Sequence, residues 1–117
     1  IAEIMKHLKL VINNIKSNES NFFNKQELQL ILNLYAKMVS AGDWKDYGLS
    51  ISKREINFNV YHRASENPAY KIIKNLKPKN KEEKYLVKDS ANKIIKKSED
   101  LSILINKIMW KKFKLVN

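Results

Sequence analysis

Within five residues, Asp43, Trp44, Lys45, Asp46 and Tyr47 set out two carboxylates, a cation and two aromatic rings. On a loop, that combination can form a lip for a ligand or partner, because binding residues concentrate on loops held by a rigid frame. The plainer reading has Trp44 and Tyr47 plugging a helix end onto a sheet while the acids cap or solvate a turn. A second concentration, Arg63, Ser65, Glu66 and Tyr70 with Lys71 next in line, surrounds Asn67-Pro68. As a site it suits an anion or a peptide, with Arg63 and Glu66 able to pair across the loop. Structurally, Ser65 and Glu66 satisfy loop amides, and Arg63 and Tyr70 are cross-strand neighbours.

Catalytic chemistry finds little to work with. A metal-dependent nuclease needs two or three carboxylates converging on Mg²⁺ with a lysine nearby. Asp43, Asp46, Glu55 and Glu66 supply raw material, but their spacing marks no site, so nuclease stays a remote alternative. The chain has no cysteine, which removes disulfides, Cys-ligated zinc, iron–sulfur clusters and thiol catalysis. His7 and His62 are too few and too far apart for a His-rich metal site, and His62 alternates with an apolar strand face. Two glycines exclude a Gly-rich phosphate loop. The expectation is a non-enzymatic protein with no cofactor and no metal.

Charge is the louder signal. There are 23 Lys+Arg against 12 Asp+Glu, for a net charge of +11, a balance that favours anionic partners. Of those cations 21 are Lys and 2 are Arg, and Lys, Asn and Ile make up 49 of the 117 residues. All three have A/T-rich codons, so base composition alone accounts for much of the basicity. Arg grips phosphate bidentately where Lys acts as a point charge, which also counts against a dedicated phosphate reader. The densest basic patch is the connector carrying Lys77, Lys79, Lys81 and Lys84. Double-stranded RNA-binding domains share a helix–strands–helix order and place Lys at the start of the last helix. Here Ser98-Glu99-Asp100 stands at that start and repels phosphate, although Lys96 and Lys97 precede it. Single-strand binding on a sheet needs exposed aromatics among cations. Tyr61, opposite the Phe58 and Val60 face and near Arg63, keeps that version open.

The elements that must position these residues follow from periodicity. Ile1, Ile4, Met5, Leu8, Val11, Ile12 and Ile15 recur at helical spacing, so an amphipathic helix opens the chain, with Ser17–Ser20 as a linker. A second helix starts at an Asn24/Glu27 capping box, flanked by Phe23 and Leu28 as a hydrophobic staple. Its stripe of Leu28, Ile31, Leu32, Tyr35, Met38 and Val39 runs to Gly42, suited to the left-handed C′ position. Asp43 to Gly48 reads as a turn, with Leu49 to Ile51 as a possible strand. Ile56, Phe58, Val60 and His62 alternate with Asn57, Asn59, Tyr61 and Arg63 as a half-buried strand. Tyr70 to Leu76 is its hairpin return. Tyr85 to Val87 and Ile94–Ile95 are short strands across an Asp89–Asn92 turn. Ser98-Glu99-Asp100 supplies the N-cap and first-turn acids of a closing helix carrying Leu101, Leu104, Ile105, Ile108 and Phe113.

Two blocks carry a resemblance. The first is Phe23-Asn24-Lys25-Gln26-Glu27-Leu28 followed by Leu34-Tyr35-Ala36-Lys37-Met38-Val39-Ser40-Ala41-Gly42-Asp43-Trp44-Lys45-Asp46-Tyr47. The second runs Phe58-Asn59-Val60-Tyr61-His62-Arg63-Ala64-Ser65-Glu66-Asn67-Pro68-Ala69-Tyr70-Lys71-Ile72. From Phe22 to about Met109 the chain resembles a small alphaproteobacterial family known as domain of unknown function 2794. The resemblance implies a shared fold and compartment and no activity. Lys37, Lys45 and Lys71 stand where the family pattern leans to Arg, and His62 precedes Arg63 where two Arg are usual. Of the bidentate contacts this could supply, only the one at Arg63 is kept.

The sequence therefore predicts an α+β protein: a small antiparallel sheet of three to five strands, two helices before it and one after. Residues 1–20 form an appended amphipathic helix and linker, and 21–117 a single domain. The chain begins at Ile, as a trimmed protein or a fragment would, and shows neither a membrane span nor a signal peptide, so cytoplasmic is the default. Its expected role is a binding or adaptor domain for an anionic protein surface, with RNA or single-stranded nucleic acid as the alternative. Ile4, Leu8, Val11 and Ile15 are candidates for contact with a second copy, because an isolated helix of about 16 residues is marginal in water.

Overall fold

A computed structural model describes residues 22–63, 67–108 and 110. The expected opening helix, its linker, Phe113, Ser65 and Glu66 lie outside the described residues. Among those described, one helix precedes the sheet and one follows it, where the sequence predicted two before. The architecture is α+β: helix α1 (Lys25–Ser40), strands β1 (Asp46–Ile51), β2 (Glu55–Tyr61), β3 (Tyr70–Asn75), β4 (Tyr85–Asp89) and β5 (Ile94–Ser98), then helix α2 (Leu101–Lys107). A short 3₁₀ turn, Lys81–Glu83, lies between β3 and β4. The five strands form one antiparallel meander in chain order, leaving β1 and β5 as edges.

α1 is anchored at both ends as its sequence requires. The Asn24 side chain accepts from the Glu27 amide at 2.8 Å, and Glu27 returns the bond by accepting from the Asn24 amide at 2.7 Å. At the other end Gly42, at φ +80°, donates to the Val39 carbonyl while Asp43 donates to Met38. That pair of bonds is the Schellman closure, which needs a left-handed residue at Gly42.

One face of the sheet packs against both helices. Its core joins Leu28, Ile31, Leu32, Tyr35 and Met38 of α1 to Ile56, Phe58, Val60, Ile72 and Val87 of the strands and to Leu101 and Leu104 of α2. Tyr35, Trp44, Tyr47, Phe58, Tyr70 and Trp110 form a continuous aromatic chain through it, with Tyr47 stacked on Phe58 at 5.4 Å.

Three boundaries differ from the sequence reading. β1 begins at Asp46, inside the stretch read as a turn, because Tyr47 packs on Phe58 and the Tyr61 ring shields Gly48. β2 stops at Tyr61. His62 lies beyond it and is exposed, its Nδ1 2.7 Å from the Asp43 carbonyl. A carbonyl only accepts, so Nδ1 carries the proton in that contact. β5 extends through Ser98, which moves the cap of α2 to Asp100, whose carboxylate accepts from the Ile103 amide at 3.1 Å. The first turn of α2 therefore has no acid.

Candidate anion-binding face

Alternation along a strand sends successive side chains to opposite faces. Since Ile56, Phe58 and Val60 enter the helix-covered core, Asn57, Asn59 and Tyr61 belong to the other face. The pairing extends this logic across the sheet. Asn59 lies opposite Gly48 and Lys71, and Lys71 opposite Lys88, so these form one row. Asn57 lies opposite Ser50 and Ile73, Ile73 opposite Leu86, and Leu86 opposite Lys97, forming a second row. The core that joins both helices to the sheet lies on the opposite face. Its centre, Ile73 and Leu86, is buried, Lys71 and Lys88 are half-buried, and Lys97 is exposed.

The face is cationic and rich in amides. Lys71 donates to Asn92 Oδ1 at 3.3 Å, and Asn92 holds the left-handed turn (φ 66°) between β4 and β5. Asn59 Nδ2 donates to Ser50 Oγ at 3.3 Å. The Oδ1 atoms of Asn57 and Asn59 are buried without a hydrogen-bond partner among the described residues. The face thus offers acceptors beside its cations. Tyr61 lies at the Asp46 end, with its ring about a van der Waals contact (3.8 Å) from where a Gly48 side chain would begin.

The residues singled out by sequence divide sharply. Trp44 is core, 1% exposed, and Tyr70 is buried against Trp44 and Trp110. The plainer reading put Trp44 at the helix end, where it follows Gly42 and Asp43. It made Tyr70 the cross-strand neighbour of Arg63, whereas Tyr70 pairs with Val60. Tyr47 is half-buried in β1, and Asp46 is exposed at the start of that strand. Arg63 is exposed just past β2. Lys77, Lys79, Lys81 and Lys84 are all exposed. Their connector is held by Asn75, whose amide donates to the Lys84 carbonyl at 2.8 Å and whose Nδ2 donates to the Glu83 carbonyl at 2.7 Å. Asp46 and Glu55 stand at opposite ends of the β1–β2 hairpin. Among the described residues no three of Asp, Glu and His converge in a way that would hold a metal, so Asp43, Asp46 and Glu55 do not form such a cluster.

Sequence reasoning missed a buried network. Glu27, seen only as a capping residue, also accepts from Lys74 Nζ at 2.7 Å and from the Tyr85 hydroxyl. Lys74 donates again to the Phe22 carbonyl at 2.9 Å. The one signal available was a lysine on the apolar face of a strand: Lys74 shares a face with Tyr70 and Ile72. Burial, then the bond to Glu27, pushes the Tyr85 hydroxyl well above its ordinary pKa.

Fold and site together define a small α+β domain whose five-stranded sheet is covered by helices on one face and carries paired lysines on the other. The chain belongs to the family described as protein of unknown function (DUF2794), which it matches over residues 21–105. That span takes in α1, every strand and most of α2. Comparisons with curated proteins and with solved structures give no match. Among the described residues no helix is long and apolar enough to cross a membrane.

Proposed function

We propose that this is a non-enzymatic binding domain that recognises an anionic protein surface through the lysines of the sheet face opposite its helix-packed core. One observation carries the reading: Lys71 and Lys88 are directly opposed on neighbouring strands. Like charges in that position destabilise a sheet, yet here they stand in the same row as Asn59, with Lys97 in the next row. An acidic partner relieves that repulsion. Nucleic acid is the less suitable partner. A stacking surface needs several exposed rings, whereas among the described residues this face has Tyr61 alone, half-buried beside Gly48. Asp100, capping α2, also faces any phosphate approaching that helix. On spacing alone, Ile4, Leu8, Val11 and Ile15 join the proposal as a contact to a second copy, which light scattering on the full chain and on a chain starting at Asn21 tests.

The test of the face is anisotropy with labelled polyglutamate and a labelled single-stranded RNA, on wild type and Lys71→Glu/Lys88→Glu. Polyglutamate should bind at low salt, and the double variant should lose most of that binding while keeping its melting temperature. Equal binding by the variant, or none by the wild type, ends the reading. Preference for RNA, with affinity falling steeply between about 50 and 200 mM salt, would move the assignment to nucleic acid.

A further inference from the structure

At the β5 edge, a groove of about 520 Å³ runs between that strand and α2, lined by Ile94, Ile95, Lys96, Lys97, Leu104 and Lys107 among others. From this groove we infer a second interaction surface, which adjoins the Lys71–Lys88 face at Lys97: β5 takes an extended acidic peptide as a sixth strand, with α2 as the far wall. Three features point there. β5 pairs only with β4 among the described residues, so its outer backbone edge is available to a ladder. Ile94 and Ile95 are 49% and 41% exposed, apolar surface next to that edge which alternate side chains of an added strand can cover. Among the described residues, every charged side chain lining the groove is a cation, Lys96 and Lys97 from the strand and Lys107 from the helix. Of the two acids that follow β5, Asp100 caps α2 and Glu99 lines a separate hollow with Lys79, Lys81 and Lys84.

Charge decides the occupant. Lysines and a bulge, here at Val87/Lys88, are devices that keep an edge from pairing with whatever strand it meets. Against an acidic strand the same lysines become attractive, so the device excludes most partners and admits one class. A second copy does not belong to that class. Two β5 edges brought together about a two-fold axis would set Lys96 and Lys97 against their own counterparts. The other edge, β1, is flanked by Lys45 at one end and by Lys53 and Arg54 at the other.

The experiment titrates the full chain with a short fluorescein-labelled peptide alternating valine and glutamate, and with the same peptide carrying lysine for glutamate. Amide hydrogen exchange on β5 is followed alongside. The acidic peptide should bind, slow exchange at β5, and leave the lysine peptide without effect. Lys96→Glu/Lys107→Glu, both at exposed positions, should weaken binding about tenfold or more and remove the slowed exchange at β5, whereas Lys71→Glu/Lys88→Glu should keep the slowed exchange at β5. That contrast separates this groove from the sheet face proposed above. Binding without protection of β5, equal binding of both peptides, loss of binding only in the Lys71/Lys88 variant, or no binding would each overturn the inference. So would β5 protection already present in a dimer without peptide, or a single-stranded RNA that displaces the peptide from the groove.

Discussion

The carboxylate of Glu27 and the ammonium of Lys74 meet at 2.7 Å across 47 positions of chain, both buried. Glu27 is also the third residue of α1 and the acceptor for the Tyr85 hydroxyl, so one side chain ties the helix start to β3 and β4. Removing one member of a buried pair leaves the other charge desolvated and alone. Glu27→Ala should therefore destabilise the fold by about 3 kcal/mol or more. Replacing both, as in Glu27→Leu/Lys74→Met, should recover much of that loss, because a buried pair contributes little net stability over apolar groups of similar volume. Urea melts of the two variants check both statements. Equal melting of Glu27→Ala and wild type would show that the pair is not buried in solution.

Asn24→Ala removes the acceptor for the Glu27 amide and should cost about 1 kcal/mol, the usual size for a lost cap. Because Glu27 completes the capping box as well as the ion pair, the two changes should not add. A double-mutant cycle in urea should show a coupling of roughly 0.5 kcal/mol or more, and strict additivity would mean the box does not form.

Gly42 closes α1 at φ +80°, with open space where a side chain would begin. Gly42→Ala should thus cost about 1 kcal/mol from backbone strain alone, and Gly42→Asn less, since Asn tolerates the left-handed region. A thermal melt that ranks Ala at or above Gly would contradict the Schellman closure.

Alkaline pH should unfold this protein through its tyrosines. Burial, with Asp46 and Tyr47 adding to it, pushes Tyr35 up to about 12 from its ordinary 10.0. Tyr47, Tyr70 and Tyr85 are raised as well, each chiefly by burial. Above pH 10 the unfolded chain releases these protons while the folded chain holds them, so stability falls as pH rises. The loss should begin near pH 10 and deepen toward about 12. Absorbance at about 295 nm should show delayed ionisation of these tyrosines, then a cooperative step as the fold opens. Ordinary titration of Tyr35, Tyr47, Tyr70 and Tyr85 with the fold intact would refute their burial.

What the sequence disclosed was local in origin. The caps of α1, the Gly42 closure and the pairing of β2 with β3 depend on residues near one another in sequence; these stand, with β2 ending at Tyr61 and not reaching His62. Long-range dependence hid the rest. Nothing near Asp46 announces a strand, because β1 is specified by Tyr47 stacking on Phe58 of the next strand. Ser98-Glu99-Asp100 offers two capping residues. Asp100 takes the role because Ser98 pairs with Tyr85 in β5. Trp44 and Tyr70 have the composition of a binding site, yet the sheet and Trp110 enclose them. The paired lysines on the face opposite the helix-packed core required the β3–β4 register, which local spacing does not contain.

The connector separates charge from packing. Lys77, Lys79, Lys81 and Lys84 are exposed, but Lys84 Nζ sits 5.4 Å from the centre of the Tyr85 ring. A cation over a ring at an exposed site contributes about 0.5–1 kcal/mol. Reversing Lys77, Lys79 and Lys81 to Glu should therefore leave the melting temperature nearly unchanged, while adding Lys84→Glu should lower it measurably. The three-residue reversal should weaken binding of polyglutamate at low salt, because it converts a basic segment into an acidic one beside Glu82 and Glu83. A calorimetric scan paired with the polyglutamate titration separates the effects. If the three-residue variant melts much earlier, those side chains pack and carry structure. If it binds polyglutamate as the wild type does, the connector plays no part in recognition.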